Sequence, residues 1–328
     1  MGLRTAEGRL RSCRRRGGES RGGGSRDVNS KLPKVSYLVI CYNRRDDVKV
    51  CVTSILAQDY PDLEIVVVDN ASVDGTDTLF QQELTDQRIV YRKMSENFGV
   101  SGGRNAALEV AVGQVLITID DDAMLIDPLM TRKVVERLGE DPEVGVLAFR
   151  IEDFVTTEIQ RMFFPWKDKS RDPGMEFETT WFIGAGHAIT RKVYDTVGVY
   201  RDYRPYGAEE FDLALRILDN NFKIIYFPGA RIRHKESKKS RIPPTKLSAL
   251  RLKHRMRAVI LNLPWFSVLS FFVIRSGVTL LKSRGNVVAL GMAYWAIISN
   301  LGRWLDERKP IGPSAIAKLG QLNGPLYY

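Results

Sequence analysis

Cysteine is scarce in this chain of 328 residues: only Cys13, Cys41 and Cys51 are present. Three thiols, too few and too clustered for a disulfide framework or a zinc site, leave stability to a packed core and fit a reducing compartment. Apolar runs long enough for a perpendicular membrane span, about 20 residues, are lacking too. The first 30 residues hold eight arginines, three acids and almost no apolar side chains. They contain no hydrophobic stretch that would make a secretory signal, and their glycines and acids fit a transit peptide poorly, so residues 1–32 are expected to be a disordered tail. What the chain does have is 44% hydrophobic residues, enough for a substantial core in one large domain or two.

The net charge of +10 is unevenly placed. Residues 231–257 carry eleven basic residues against one acid, residues 258–328 seven against two, and residues 31–230 are left with a net charge of −10. An acidic body with basic flanks suits an anionic lipid surface better than a nucleic-acid groove.

From Val35 onward, short apolar runs alternate with helical patterns, as in βα units that build a mainly parallel sheet. Strands are predicted at 35–42, 64–69, 88–92, 114–120 and 144–149, and helices at 46–58, 76–84, 101–112 and 128–138. Ligands of open α/β sheets bind beyond the carboxyl ends of the strands. Four polar clusters occupy such places: Asn43-Arg44, Asp69-Asn70, the stretch 97–105 with Asn97 and Arg104, and Asp120-Asp121-Asp122.

Three consecutive aspartates repel one another unless a cation or hydrogen-bond donors compensate. A divalent ion such as Mn²⁺ or Mg²⁺, sharing one or two carboxylates with phosphate oxygens, is one solution, and a solvated turn capping the next helix is the other. Asp69 either shapes a turn or accepts a hydrogen bond from a nucleobase or ribose. In ENFGVSGGRNAAL, Gly99, Gly102 and Gly103 stand before a helix with Arg104 and Asn105 in its first turns. Backbone amides and a guanidinium there can face phosphate or nucleotide. Glu209 and Glu210 either stabilise a helix N-terminus or supply a base.

Taken in order, VSYLVICYNRRDD, EIVVVDNASVDGT, NFGVSGGRNAAL, LITIDDDA, GAGHAITRKVYDTVG, YGAEEFDLALRI and FPGARIRH resemble the successive motifs of the family 2 glycosyltransferases. The resemblance covers residues 33–240 and implies the GT-A fold, a Rossmann-like mixed α/β sheet flanked by helices. It also implies a nucleotide-diphosphate sugar donor, a glycan or lipid-linked acceptor, Mn²⁺ or Mg²⁺, and inversion, as in bacterial enzymes of cell-surface polysaccharide synthesis. Asn43, Arg44 and Asp69 match positions around the nucleobase and ribose, and Asn97, Arg104 and Asp121 are grouped with the donor site. Asp120 and Asp122 match the Asp-x-Asp motif, the first near ribose or metal and the second on the metal, and His234 matches a histidine that holds metal or diphosphate. Glu210 takes the general-base position, where the family usually has Asp, which leaves Glu209 as the alternative. Ile40 and Cys41 depart from a common Pro-Thr. Residues 181–189 and 201–207, including Trp181 and His187, are implied to shape the acceptor pocket, with core packing an equal account of Trp181 and Phe182.

Beyond the basic belt, AVILNLPWFSVLSFFVI (258–274) and VVALGMAYWAII (287–298) are expected to form interfacial helices or a shallow hairpin, with true spans or a packed helical subdomain as the alternatives. This makes 241–310 a helical membrane-associating region and 311–328 a C-terminal tail. Arg251, Lys253, Arg255 and Arg257 are expected at headgroup level, with Trp265, Phe266, Phe271 and Phe272 at the acyl boundary. The expected location is the cytoplasmic face of the cell membrane, peripheral or shallowly inserted. A sugar nucleotidyltransferase would also use acidic metal ligands, but the first strand runs into CYNRRDD without a glycine-rich phosphate loop. A membrane or nucleic-acid adaptor would leave the acid triplet and Glu209-Glu210 without a role.

Overall fold

The computed structural model describes residues 32–235, 242–282 and 287–324. Cys13, the N-terminal tail up to residue 31, and Lys238, Lys239 and Arg241 of the basic belt lie outside the described residues. Among the described residues the nine strands are β1 Val35–Cys41, β2 Leu63–Asp69, β3 Ile89–Lys93, β4 Val115–Asp120, β5 Ala123–Leu125, β6 Val144–Asp153, β7 Phe177–Thr179, β8 Gly186–Thr190 and β9 Lys223–His234. They join one sheet in the order β3-β2-β1-β4-β8-β6-β9-β5, with β7 also on β9. Strands β1 to β4 are mutually parallel, as predicted, and β6 runs parallel to β9. The sheet is mixed because β8 enters antiparallel between β4 and β6, while β5 and β7 pair antiparallel with β9.

Period-two alternation explains the core. Tyr37, Val39 and Cys41 face one layer with Val48, Cys51, Val52, Ile55 and Val134. Leu38 faces the other with Ala106, Ala107 and Leu108. The first layer contains the helices α1 Arg45–Leu56 and α4 Met130–Glu140, the second α3 Gly99–Val110. Each fully buried Val, Leu or Ile contributes roughly 1.5–3 kcal/mol. Cys41 and Cys51 are free and buried, so they act as small apolar packing groups. The helix predicted at 76–84 is a short α2 Thr76–Thr78 that widens into a π-helical turn, Leu79–Glu83.

The second layer continues through α5 Arg191–Val197 and α6 Glu209–Asp219 into the C-terminal helices. These are α7 Pro244–Asn262, α8 Trp265–Lys282, α9 Val287–Ile298, α10 Leu301–Asp306 and α11 Pro313–Gln321. Leu213, Ala214 and Ile217 of α6 share one cluster with Val259, Ile260, Trp304 and Leu319, so α6 and the C-terminal helices α7, α10 and α11 share one core. Residues 313–321, expected as tail, form α11 because Pro313 starts the helix and Ala315 and Leu319 share its buried face.

Two C-terminal expectations need correction. Pro264 cuts the apolar segment 258–274, so residues 258–263 end α7 in the core and only the part from Trp265 onward reaches the surface. Arg257 and Phe271 are also buried: Arg257 donates to the Asp202 carbonyl and pairs with Glu307 at 3.1 Å, while Phe271 is 1% exposed. Among the described residues, no helix is long and apolar enough to cross a membrane.

Candidate active site

The parallel strands deliver their carboxyl ends to one edge of the sheet, and the acid triplet grows from that of β4. Strand β5 follows at once and pairs antiparallel with the end of β9, placing Ala123 opposite His234. This pairing brings residues over 110 positions apart into one cluster. The Nε2 of His234 lies 3.2 Å from Asp122 Oδ1 and 3.9 Å from Asp120 Oδ2. Asp120, Asp122 and His234 each offer one ligand atom, all within 4.8 Å of one another. Two carboxylate oxygens and an imidazole nitrogen form a donor set that suits Mn²⁺ or Mg²⁺. The other ring nitrogen, Nδ1, faces Gln160 Oε1 at 3.3 Å, and Phe163 packs edge-on against the imidazole. Gln160, which no sequence signal marked, therefore orients the histidine.

Arginines supply much of the charge compensation. Arg44 Nη1 donates to Asp121 Oδ1 at 2.7 Å and to Asp122 Oδ2 at 3.1 Å. Its guanidinium, expected near a nucleobase or ribose, thus lies on the acid triplet. Burial pushes the Asp121 carboxyl up to about 7, against the pull of Arg44. Arg104, only 2% exposed, contacts both acids: Nη1 donates to Glu210 Oε1 at 2.6 Å and Nη2 lies 3.6 Å from Asp120 Oδ1. It therefore links the acids on the two sides of the site. A second donation, to the Gly184 carbonyl, fixes it. A Cβ on Gly184 would overlap Glu210 Oε1 and Arg104 Nη2, so a larger residue there would push against the two side-chain ends that form the bridge.

The glycine-rich stretch acts differently from the expectation. Its helix begins at Gly99, so Gly102 and Gly103 lie inside α3 rather than before it. They permit close packing, since a Cβ on Gly103 would meet Ile40 at 2.6 Å and one on Gly102 would meet Phe98 at 2.6 Å. Asn97 accepts the Gly99 N–H at 2.9 Å and so prepares the helix start. On the neighbouring strands, Asn43 adopts a left-handed φ of 53° and binds the 70–73 turn, accepting from the Val73 N–H and donating its own N–H to Ser72. Asp69 is fully buried, with one oxygen on the Ser72 N–H and the other on the Tyr91 hydroxyl. In this structure it holds the turn from beneath.

Glu209 and Glu210 open α6, where the helix dipole favours acids. Their surroundings differ. Glu210 pairs with Arg104, whereas Glu209 is 3% exposed and accepts the Gly207 N–H. Burial and the neighbouring Glu210 push the Glu209 carboxyl up to about 8. The folded chain thus holds a proton that the unfolded chain releases near 4.5. That stabilisation is complete below pH 4.5 and is lost as pH rises through 8, with a slope approaching about 1.4 kcal/mol per pH unit. Thermal melts from pH 5 to 9 are expected to fall less steeply for Glu209→Gln than for wild type; parallel curves would reject the buried proton.

The wall expected to face an acceptor is partly core. Phe182 and His187 are buried, the imidazole between the Ile183 carbonyl and the Tyr200 hydroxyl at 3.0 and 3.1 Å. Burial, together with Arg104, draws His187 down to about 3 and keeps it neutral. Trp181 stays partly exposed, with Lys169 over its ring.

Residues 36–198 match the family described as Glycosyl transferase family 2, a match that stops short of Glu209, Glu210 and His234. The chain is 34% identical over 191 residues to the Escherichia coli UDP-Glc:alpha-D-GlcNAc-diphosphoundecaprenol beta-1,3-glucosyltransferase WfaP, covering 58% of this chain and 72% of that one. It is 34% identical over 107 residues to the Rhizobium meliloti succinoglycan biosynthesis protein ExoO, covering 33% of this chain and 30% of ExoO. In three dimensions it is similar to the mannosyltransferase PcManGT of Pyrobaculum calidifontis, solved with GDP-Man and Mn²⁺, with a TM-score of 0.55, 21% identity and 89% and 80% of the two chains covered. The fold is therefore GT-A, and the chain belongs to the family 2 glycosyltransferases.

Proposed function

We propose that the chain transfers a sugar, with inversion, from a nucleotide-diphosphate sugar to a hydroxyl of a glycan or lipid-linked acceptor. The observation that carries this reading is the placement of Asp120, Asp122 and His234 on one side of Arg104 and Glu210 on the other. Asp120, Asp122 and His234 would hold Mn²⁺ or Mg²⁺, which supplies charge neutralisation for a diphosphate leaving group. Asn43, Asp69 and Asn97 shape the loops that would receive the nucleoside, with Arg44 and Asp121 beside them. As the acceptor oxygen bonds to the anomeric carbon, the carbon–oxygen bond to diphosphate breaks and its electron pair leaves with the phosphate. Glu210 takes the hydroxyl proton. The PcManGT complex with GDP-Man and Mn²⁺ supports this donor and metal class. Incubation with UDP-, GDP- and dTDP-sugars in Mn²⁺ is expected to release nucleoside diphosphate from one donor class, and EDTA to stop it. No release from any donor, or release unchanged by excess EDTA, would overturn the metal-assisted reading.

A membrane surface is the second part of the proposal. Trp265, Phe266, Leu269 and Val273 on α8 and Trp295 and Ile298 on α9 are between 57% and 74% exposed. Arg251 and Arg255, exposed and one turn apart on α7, add positive charge to the same helical region. The diphosphoundecaprenol acceptor named for WfaP supports a lipid-linked substrate. Wild type is expected to float with anionic liposomes. Changing Arg251 and Arg255 to Gln should weaken binding roughly 10- to 30-fold at low salt, since each charge near such a surface contributes about 1 kcal/mol. Equal recovery of both proteins would remove the electrostatic part, and no flotation of wild type would remove the membrane.

A further inference from the structure

Asp212, two residues beyond Glu210 in the first turn of α6, is completely buried. Five donor contacts converge on it. Oδ1 accepts from Arg201 Nη1 at 2.7 Å, Tyr203 Oη at 3.2 Å and Asn262 Nδ2 at 2.7 Å, and Oδ2 lies 3.1 Å from both Nε and Nη2 of Arg216. The network closes on itself, because Asn262 Oδ1 accepts from Arg201 at 3.1 Å and Asn262 Nδ2 also donates to the Ala258 carbonyl at 2.8 Å. A buried carboxylate matched by two guanidiniums with its hydrogen bonds satisfied holds one geometry.

Four other contacts attach α7 to the loop that leads into Glu209. His254 Nδ1 faces the Tyr206 carbonyl at 3.1 Å, Arg257 donates to the Asp202 carbonyl, and both side chains pack on the Tyr203 ring. The loop and the first turn of α6 are therefore fixed from the C-terminal helices. Displacing a reacting group by about 1 Å can cost about 10²-fold in rate.

We infer that Asp212 is a positioning residue for Glu210, and that Asn262 of α7 brings the C-terminal helices into the catalytic apparatus. This rests on Glu210 being the base. The side chain of Asn262 bonds to Asp212, Arg201 and the Ala258 carbonyl, and its loss leaves Arg201, Tyr203 and Arg216 around the carboxylate, so Asn262→Ala is the variant that keeps the fold.

The test uses the full chain, Mn²⁺ and the nucleotide sugar that wild type turns over fastest, with Asn262→Ala, Glu210→Gln and the double variant. For Asn262→Ala, kcat is expected to fall roughly 10- to 100-fold while donor KM and nucleoside diphosphate affinity stay within about twofold of wild type. In the Glu210→Gln background the same change is expected to have no further effect, because the group it positions has already lost its function. An unchanged kcat, a parallel loss of donor affinity, or a full additional loss in the double variant would overturn the positioning role. Should Glu210→Gln alone be as active as wild type, the base assignment itself falls and takes the inference with it.

Discussion

Asp122→Ala is expected to abolish sugar transfer while the protein stays folded. Asp122 is the acid on which the two sides of the proposed metal site meet, with His234 Nε2 3.2 Å from one oxygen and Arg44 3.1 Å from the other. Its loss leaves two of the three grouped ligands, and the affinity for Mn²⁺ should fall by more than the roughly 10- to 100-fold typical of changes outside the ligand set. Stability is expected to hold for two reasons. Arg44 keeps its 2.7 Å contact with Asp121, and fewer crowded carboxylates remain at the strand end, where burial and the neighbouring acids already raise Asp121. The backbone of residue 122 still accepts the Lys235 N–H, so the β5–β9 pairing is not broken. Calorimetric titration of Mn²⁺, donor turnover and a thermal melt on the same preparation separate the effects. Full activity of the variant would remove Asp122 from the site, and a collapsed melt would make its role structural.

The sequence displayed the parallel half of the fold well because β1, β2 and β4 are buried on both faces and read as unbroken apolar runs, as in EIVVVD. It displayed the acids at the strand ends for the same reason: a carboxylate next to such a run stands out. Less legible was whatever depends on partners distant in the chain. Strand β9 reads as a basic, irregular stretch, yet it pairs with three other strands and delivers His234. Gly184 and Gln160 serve the site through close approach and a single hydrogen bond, which no periodicity records. Arg257 shows how charge counts mislead. Counted with a basic belt, it is instead buried against Tyr203, and its nitrogens serve the Asp202 carbonyl and Glu307. A guanidinium on a long apolar stem fits core and surface alike.

Glu210→Gln is expected to lower the chemical step by a factor of about 10² to 10⁴, the range for loss of a positioned base. The amide keeps the size of the side chain, and its oxygen can still accept from Arg104 Nη1, so the bridge that now spans 2.6 Å at Glu210 and 3.6 Å at Asp120 should persist. Donor binding should therefore change little. What the amide cannot do is accept a proton. The neighbouring glutamate provides the control. Glu209, pushed up to about 8 by burial and by Glu210, already carries a proton at neutral pH, so Glu209→Gln imitates the form present and is expected to leave turnover near the wild-type value at pH 7. On the proposed reading the role of base then falls to Glu210, the residue that Arg104 touches. Single-turnover rates at pH 7 for both variants, with nucleoside diphosphate affinity measured alongside, give the comparison. A large loss in Glu209→Gln with little change in Glu210→Gln would move the base by one residue, and equal small losses in both would remove the pair from the chemistry.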